Sequence, residues 1–347
     1  MNMRRPTKIV VGLAAAGVLA GSVVAGVSLA AGKRANEEQT VTIALDWVPN
    51  TNHTGIYVAD KLGYFKQQGL KLKIIPYSGT NTDVLVNSGK ADLGFSFVPQ
   101  LLFSRTAGLK IKGVGAVMGR NTEALVVLKD SRFKRPRDFA QGTTYGGFGL
   151  PYEVPTWSAV IRADGGKPNF KSAVLNTAAY EALYKKKIDW SALFMGWEAI
   201  EAKLRNPPVQ LRTFPLTRYL GEAGNYPSVI LVASDSEIAG KKDLLKKALA
   251  AISKGYTFAA KNPKQAADIL TSYDSALQKN PKLVQESAKY LAPVYTANGR
   301  WGVIKPVQIS GLGQILLKAG VLKGPDGKPV TSINYGDLWT QSLLPSS

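Results

Sequence analysis

A chain of 347 residues with 45% hydrophobic content is long enough for two domains, each with a real core. It has no cysteine and one histidine, which excludes disulfides, thiolate metal sites and a lipidated cysteine, and no metal-ligand or triad pattern surrounds the one histidine, His53. A formal net charge of +20 would suit nucleic acid, but the lysines are scattered, without a zinc-finger, basic-helix or RNA-binding signature, so an anionic envelope surface is the simpler match and no nucleic-acid partner is expected.

At the N-terminus, Arg4, Arg5 and Lys8 precede an uncharged run from Ile9 to Gly32, the layout of a signal peptide, with Ser28-Leu29-Ala30 as a small-residue cleavage site. The run of 24 residues is also long enough to span a bilayer, so residues 1–31 are read as either a signal peptide or an N-terminal membrane anchor. Leu19-Ala20-Gly21-Ser22 resembles a lipoprotein cleavage box with serine in the place of the lipidated cysteine, which removes lipid anchoring. Residues 32–39 are polar and read as a tether. The mature chain is expected to be extracytoplasmic, secreted or held at the outer face of the cell membrane.

Val41-Thr42-Ile43-Ala44-Leu45 reads as a buried strand, and Tyr57-Val58-Ala59 with Leu62 as the helix after it. Between them lies the polar loop Asp46-Trp47-Val48-Pro49-Asn50-Thr51-Asn52-His53, placed where an α/β sheet presents ligand-binding loops. A plainer reading of the same residues makes Trp47 core and His53 a satisfied cap. Lys71-Leu72-Lys73-Ile74-Ile75 alternates as a strand with one solvated flank would, and a small polar turn at Ser78 to Thr82 leads into a helix at Val84-Leu85-Val86. Strands follow at Leu93–Phe97, Ile111–Val117 and Ala124–Leu128, with a helix at Val98–Arg105. The alternation predicts a mostly parallel, doubly wound sheet.

The basic, proline-containing stretch from Ser131 to Arg137 reads as a boundary. Beyond it Thr143 to Gly149 is a strand ending in glycines, followed by a helix from Tyr152 to Arg162; glycines at such a turn let backbone amides approach a ligand. The alternation continues with helix 179–187, strand 190–194, helix 197–205 and strand 209–214. Glu198 follows Gly196 and Trp197 at a helix start, where the helix dipole by itself favours an acid, and Glu201 is a solvated one. Tyr226-Pro227 precedes strand Val229–Ala233, where the chain is expected to return to the first unit. A long amphipathic helix from Lys241 to Lys261 and helices near 263–271, 281–291 and 305–319 complete the chain.

The pattern from Asp46 through Trp47, Pro49, Asn50, His53 and Gly55 to Tyr57 resembles the opening of the substrate-binding proteins that feed thiamine-pyrimidine, riboflavin, sulfonate and nitrate importers, above all the thiamine-pyrimidine and riboflavin branch. The likeness continues through Gly63-Tyr64-Phe65, Gly69-Leu70, the segment Ser88 to Gly94, Lys254-Gly255-Tyr256 and Ala266-Ala267-Asp268, and covers roughly residues 40 to 345. It implies an α/β, two-lobed periplasmic-binding-protein fold of type II, each lobe a doubly wound sheet, with the ligand cleft between lobes. The lobes are expected at 40–130 with 230–347, and at 131–229. The implied function is delivery of a pyrimidine thiamine precursor, of formylaminopyrimidine or hydroxymethylpyrimidine type, to an ABC permease and its ATPase, by a monomer with no cofactor and no catalytic residue. Riboflavin or another flat heterocycle or sulfonate is the alternative ligand.

The ligand contacts implied are Asp46, Trp47, Asn50, His53 and Tyr57 in the first loop and helix, Ser96 and Gln100 after the third strand, Gly147, Phe148, Tyr152 and Glu153 at the glycine turn, and Trp197 and Glu198. Trp47, Tyr57, Phe148 and Trp197 would sandwich a flat ring, and in the pyrimidine-binding branch a glutamate at the loop of Glu198 accepts hydrogen bonds from the aminopyrimidine edge. The fungal thiamine-pyrimidine synthase has a similar fold but carries a cofactor lysine and, four positions on, a histidine, where this chain has Ser96 and Gln100. A Schiff base needs an amine, so Ser96 speaks against the enzyme.

Overall fold

The computed structural model describes residues 38–140 and 142–346. The expected signal or anchor and most of the tether lie outside the described residues, although Gln39, assigned to the tether, is already the first residue of a strand. In chain order the strands are β1 (Gln39–Ala44), β2 (Leu70–Ile75), β3 (Leu93–Ser96), β4 (Ile111–Ala116), β5 (Glu123–Leu128), β6 (Thr144–Gly147), β7 (Lys171–Val174), β8 (Trp190–Phe194), β9 (Leu211–Pro215) and β10 (Ile230–Ser234). The helices of the first half are α1 (Thr54–Lys61), α2 (Tyr64–Gln67), α3 (Thr82–Asn87), α4 (Val98–Thr106), α5 (Glu153–Ala163), α6 (Ala178–Tyr184) and α7 (Glu198–Leu204). Those of the second half are α8 (Leu216–Leu220), α9 (Asp235–Gly240), α10 (Lys242–Lys261), α11 (Pro263–Tyr273), α12 (Ser275–Gln278), α13 (Pro281–Tyr295) and α14 (Pro306–Lys318).

The strands form two five-stranded sheets, ordered β2-β1-β3-β10-β4 and β7-β6-β8-β5-β9. In each sheet one strand runs against the rest: β10 is antiparallel to β3 and β4, and β5 is antiparallel to β8 and β9. Alternating lysines suit β2 to its place at an edge, where one flank meets water. The interior strands β3 and β10 are buried throughout, as strands covered on both faces must be.

One boundary differs from the sequence expectation. The strand at 124–128, expected with the first lobe, is β5 and pairs between β8 and β9 of the second sheet. The chain therefore crosses at residues 117–122, not at the basic stretch near 134–136, where the exposed Lys134 and Arg135 lead into a single 3-10 turn at Pro136–Phe139. The physical reason is that the crossing is short and buried and changes nothing in composition. It is tied instead to the return segment, where Val229 O accepts from Val117 N–H at 3.0 Å and from Met118 N–H at 3.2 Å.

The first apolar core lies between the first sheet and helices α1, α10, α11 and α13. Helices α1 and α10 cross so closely that a Cβ on Gly255 would stand 2.0 Å from Gly55 O, which is why glycine is required at that crossing. A second core covers the other face of the first sheet and runs without a break into the second sheet, from Val86 and Leu101 through Leu312 and Leu316 of α14 to Tyr145, Trp157 and Trp190. Within it Phe139 stacks on Trp190 with centroids 4.7 Å apart, a contact worth about 0.5–1.5 kcal/mol beyond the area it buries.

Candidate functional site

The loop after β1 is locked before any ligand is considered. Asn50 is the N-cap of a 3-10 turn at Thr51–His53: its Oδ1 accepts from Asn52 N–H at 2.8 Å, and its own N–H donates to His53 Nδ1 at 3.3 Å. With Nδ1 accepting, the ring proton stands on Nε2, 2.9 Å from Asp46 Oδ1. His53 is fully buried, edge-on to Phe95. The histidine therefore orients Asp46, whose side chain is 18% exposed, and has no nitrogen left for a ligand. From outside the loop, Tyr295 and Tyr256 donate their hydroxyls to Thr51 O at 2.8 Å and Asn52 O at 2.6 Å.

This rigid turn leaves Trp47 at the surface, 37% exposed. Its ring lies 4.8 Å from Tyr77, in the loop after β2, and 6.4 Å, edge-on, from Phe148 of the second sheet. Phe97 and Tyr152 make a second aromatic contact between the sheets at 6.1 Å. The expected sandwich is thus corrected in two members. Tyr57 is buried in the first core against Tyr273 at 4.9 Å, with burial and the nearby Asp274 pushing its hydroxyl up to about 12. Trp197 packs on that same core from the other sheet. Tyr77 joins the slot instead; a lone tyrosine in a Pro76-Tyr77-Ser78-Gly79 turn gave little sequence signal beyond its place after a strand.

The glycine turn after β6 is the second correction. Its amides do not stand open to a ligand: Phe148 N–H and Gly149 N–H donate to Glu153 Oε1 and Oε2, each at 3.0 Å. Glu153 is the first residue of α5 and is buried; burial raises its pKa, opposed by those two amides. A Cβ on Gly147 would collide with the Tyr145 ring, so the turn has no room for a side chain there.

The loop after β8 holds Glu198 at the first position of α7. Its Oε2 accepts from Phe194 N–H at 3.0 Å, and no side-chain donor among the described residues reaches its other oxygen. Desolvation raises its pKa to about 7 against the pull of that amide, so the carboxyl holds a proton for part of the time at neutral pH. The loop is docked by Ser287 of α13, which sequence reasoning missed: Thr51 Oγ1 and Ser287 Oγ are 2.6 Å apart, and Ser287 Oγ–H donates to Gly196 O. One serine thus joins the two loops singled out from the sequence.

Two further carboxyls were missed. Glu123, first in β5, accepts from Tyr152 Oη at 3.1 Å and Tyr226 Oη at 2.9 Å. Burial lifts it to about 7, against the two tyrosines, with Glu153 and Glu198 adding to the rise. Asp83, in the first turn of α3, is fully buried and accepts from Ser104 Oγ at 2.6 Å. Burial raises it to about 6, with Ser104 and Ser96 opposing and Asp46 adding. Gln100 donates to Ser104 at 3.1 Å, so the expected contact Gln100 joins Asp83 through Ser104, while the hydroxyl of Ser96 is buried without a hydrogen-bond partner among the described residues. In sequence, Glu123 and Asp83 look like polar residues flanking turns.

A cavity of about 450 Å³ lies at the crossover, lined among others by Asn121, Thr122, Glu123, Met195, Asn225 and Tyr290; Trp47, Tyr77 and Phe148 are not in its wall.

Residues 50–266 match the family described as NMT1/THI5 like. The formylaminopyrimidine-binding protein of Halalkalibacterium halodurans is 26% identical over 261 residues, covering 72% of this chain and 74% of that one. A 4-amino-5-hydroxymethyl-2-methylpyrimidine phosphate synthase of Saccharomyces cerevisiae is 28% identical over 153 residues, 43% of this chain and 44% of its own. Among solved structures, the periplasmic aliphatic sulphonate binding protein of Escherichia coli superposes with a TM-score of 0.64 at 17% identity, over 89% of this chain and 94% of that one. The fold is therefore the two-sheet α/β fold of periplasmic binding proteins. With the family match covering well over half its length, the chain belongs to the NMT1/THI5-like family.

Proposed function

We propose that the chain is the extracytoplasmic solute-binding component of an ABC importer, and that it binds a pyrimidine precursor of thiamine without converting it. The observation that carries this reading is the aromatic cluster that Trp47 and Tyr77, in loops of one sheet, make with Phe148, in a loop of the other, a cluster that opens as a slot when the sheets part, with Asp46 and Glu198 in the adjoining loops. The two sheets act as lobes joined at 117–122 and 226–229, and a flat ring enters between Trp47 and Phe148. An aminopyrimidine edge presents an amino N–H beside a ring nitrogen. A carboxyl that holds a proton near neutral pH answers both, accepting with one oxygen and donating with the other. The name of the Halalkalibacterium relative supports the pyrimidine over riboflavin.

The synthase relatives make an enzyme the second reading. Ser96 has no amine for a cofactor, and it stands at the end of β3 with its hydroxyl buried. No helix among the described residues is long and apolar enough to cross a membrane. On this reading the N-terminal segment acts as signal peptide or membrane anchor, and the permease is a separate partner. Calorimetry of the purified protein against formylaminopyrimidine, hydroxymethylpyrimidine, thiamine and riboflavin tests the proposal, with mass spectrometry of the recovered ligand. Tight binding of one pyrimidine, recovered unchanged, is expected; heat only with a sulfonate or nitrate, or a converted ligand, would reject it.

A further inference from the structure

The turn between β6 and α5 has the parts of an anion cradle. Two glycines end the strand, Gly149 has φ +76°, and the first turn of an eleven-residue helix follows, so that two backbone N–H groups converge at a helix start. A side chain at Gly149 would be strained by that φ and would meet Val174 at 2.7 Å. The cradle is filled from within, since Phe148 N–H and Gly149 N–H each donate to an oxygen of Glu153 at 3.0 Å. Glu153 is only 2% exposed, so its carboxylate is a fixed part of the wall.

This internal anion lies beside the ring slot. Phe148, one of the two donors, sets its ring 6.4 Å from Trp47. On the first sheet's side, the loop that carries Trp47 to Phe148 also carries Asp46. Among the described residues no lysine or arginine pairs with Asp46, Asp83, Glu123, Glu153 or Glu198, although the chain as a whole has a net charge of +20. A basic protein has therefore kept its cations out of contact with this group of acids.

We propose that Glu153 is a specificity residue: its carboxylate fills the backbone anion cradle beside the ring slot, so that the cleft takes neutral or protonated nitrogen heterocycles and rejects their phosphate esters and sulfonates. The inference rests on the reading of the slot as the ligand site. A phosphoryl or sulfonyl group gains most from backbone donors at a helix start; here those donors are engaged, and the incoming charge meets a carboxylate at hydrogen-bond range. Juxtaposed like charges in a desolvated site favour the alcohol over its phosphate ester by roughly a hundredfold or more.

The test titrates hydroxymethylpyrimidine, its phosphate ester and inorganic phosphate, by calorimetry, against the parent, Glu153→Gln and Glu153→Ala. The parent is expected to bind the free alcohol, to bind the ester at least about a hundredfold more weakly, and to ignore inorganic phosphate. Both variants are expected to narrow that ratio by about tenfold or more as the cradle opens, with Glu153→Ala gaining measurable phosphate binding. Glu153→Gln keeps the size of the side chain in case the alanine variant does not fold, and the parent's own discrimination needs no variant. An ester bound as tightly as the alcohol by the parent overturns the proposal, and so does unchanged discrimination in folded variants. If neither pyrimidine binds, the ligand reading fails by itself, and the inorganic phosphate arm still decides Glu153: phosphate gained by the variants supports the filled cradle, and no gain refutes it.

Discussion

Glu153 and Glu198 occupy the same position in two strand-helix units, β6–α5 and β8–α7, whose strands are neighbours in one sheet. Each is the first residue of its helix and follows a glycine-containing turn, and each accepts a backbone N–H from that turn. Their environments then part. Three residues separate Gly149 from Glu153, enough chain to fold the carboxylate back over two amides. Only Trp197 separates Gly196 from Glu198, which reaches one amide and keeps an oxygen that no described side chain satisfies. The same local signature thus produces an acid consumed by its own loop and an acid available to something else. What decides between them is the path of the turn, not the identity of the residue.

The sharpest way to break this comparison is Glu198→Ala. Removing one member of a charged hydrogen-bonded pair in a closed cleft is expected to weaken pyrimidine binding by roughly 2–5 kcal/mol, with little loss of stability. Calorimetry and chemical denaturation of the same variant separate the two effects; unchanged affinity with a lowered midpoint would put Glu198 in the same class as Glu153.

Glu153→Ala should do the reverse. It leaves two buried amides without an acceptor, and denaturant unfolding is expected to show a loss of about 2–4 kcal/mol at an unchanged m-value. An undiminished midpoint would mean that water replaces the carboxylate without cost and that the turn is open after all.

Glu123 sharpens the comparison through pH. Its folded carboxyl is raised to about 7, above its ordinary value near 4.5, so between those values the folded state binds more protons than the unfolded one. Stability from this group is present at low pH and declines as pH rises toward 7; Asp83, raised to about 6, acts with the same sign over a narrower range. The parent is expected to be about 1–3 kcal/mol less stable at pH 8 than at pH 5 on this account, and Glu123→Gln to flatten the slope. A parent whose stability climbs over that range would contradict the assignment.

The smallest effect is expected at Glu201, an exposed acid in the first turn of α7. Glu201→Ala should alter affinity not at all and stability by no more than about 0.3–1 kcal/mol, the worth of a charge at a helix terminus. A larger change in binding would mean that α7 as a whole, and not one carboxyl, reads the ligand.

Much of the fold was legible because its signals are local. β-branched runs, alternation in β2, the polar loop before α1 and the amphipathic face of α10 each depend on a few neighbouring residues, although the capping role of Asn50, expected as a ligand contact, came only with the structure. The parallel alternation followed from them, as did the loops that present Trp47 and Glu198. The boundary near 134–136 misled because exposure and charge mark a surface loop whether or not the chain is changing sheets. Of the four aromatics expected around a flat ring, Trp47 and Phe148 stand 6.4 Å apart, while Tyr57 turned into the core, because the first turn of α1 faces α11.

The amino-acid sequence by itself determined the α/β class, the family, the polar loop before α1 and the presence of acids at two helix starts. Tertiary structure alone decided which sheet β5 joins, since pairing partners are chosen among distant strands of equal apolarity. It alone brought Ser287 between Thr51 and Gly196, and set Glu123 under two tyrosines, across separations of up to 236 residues. It also spent one glutamate on its own backbone and left the other free. A carboxylate's role depends on which donors reach it and how much water remains, and both are properties of the folded surroundings rather than of the residue.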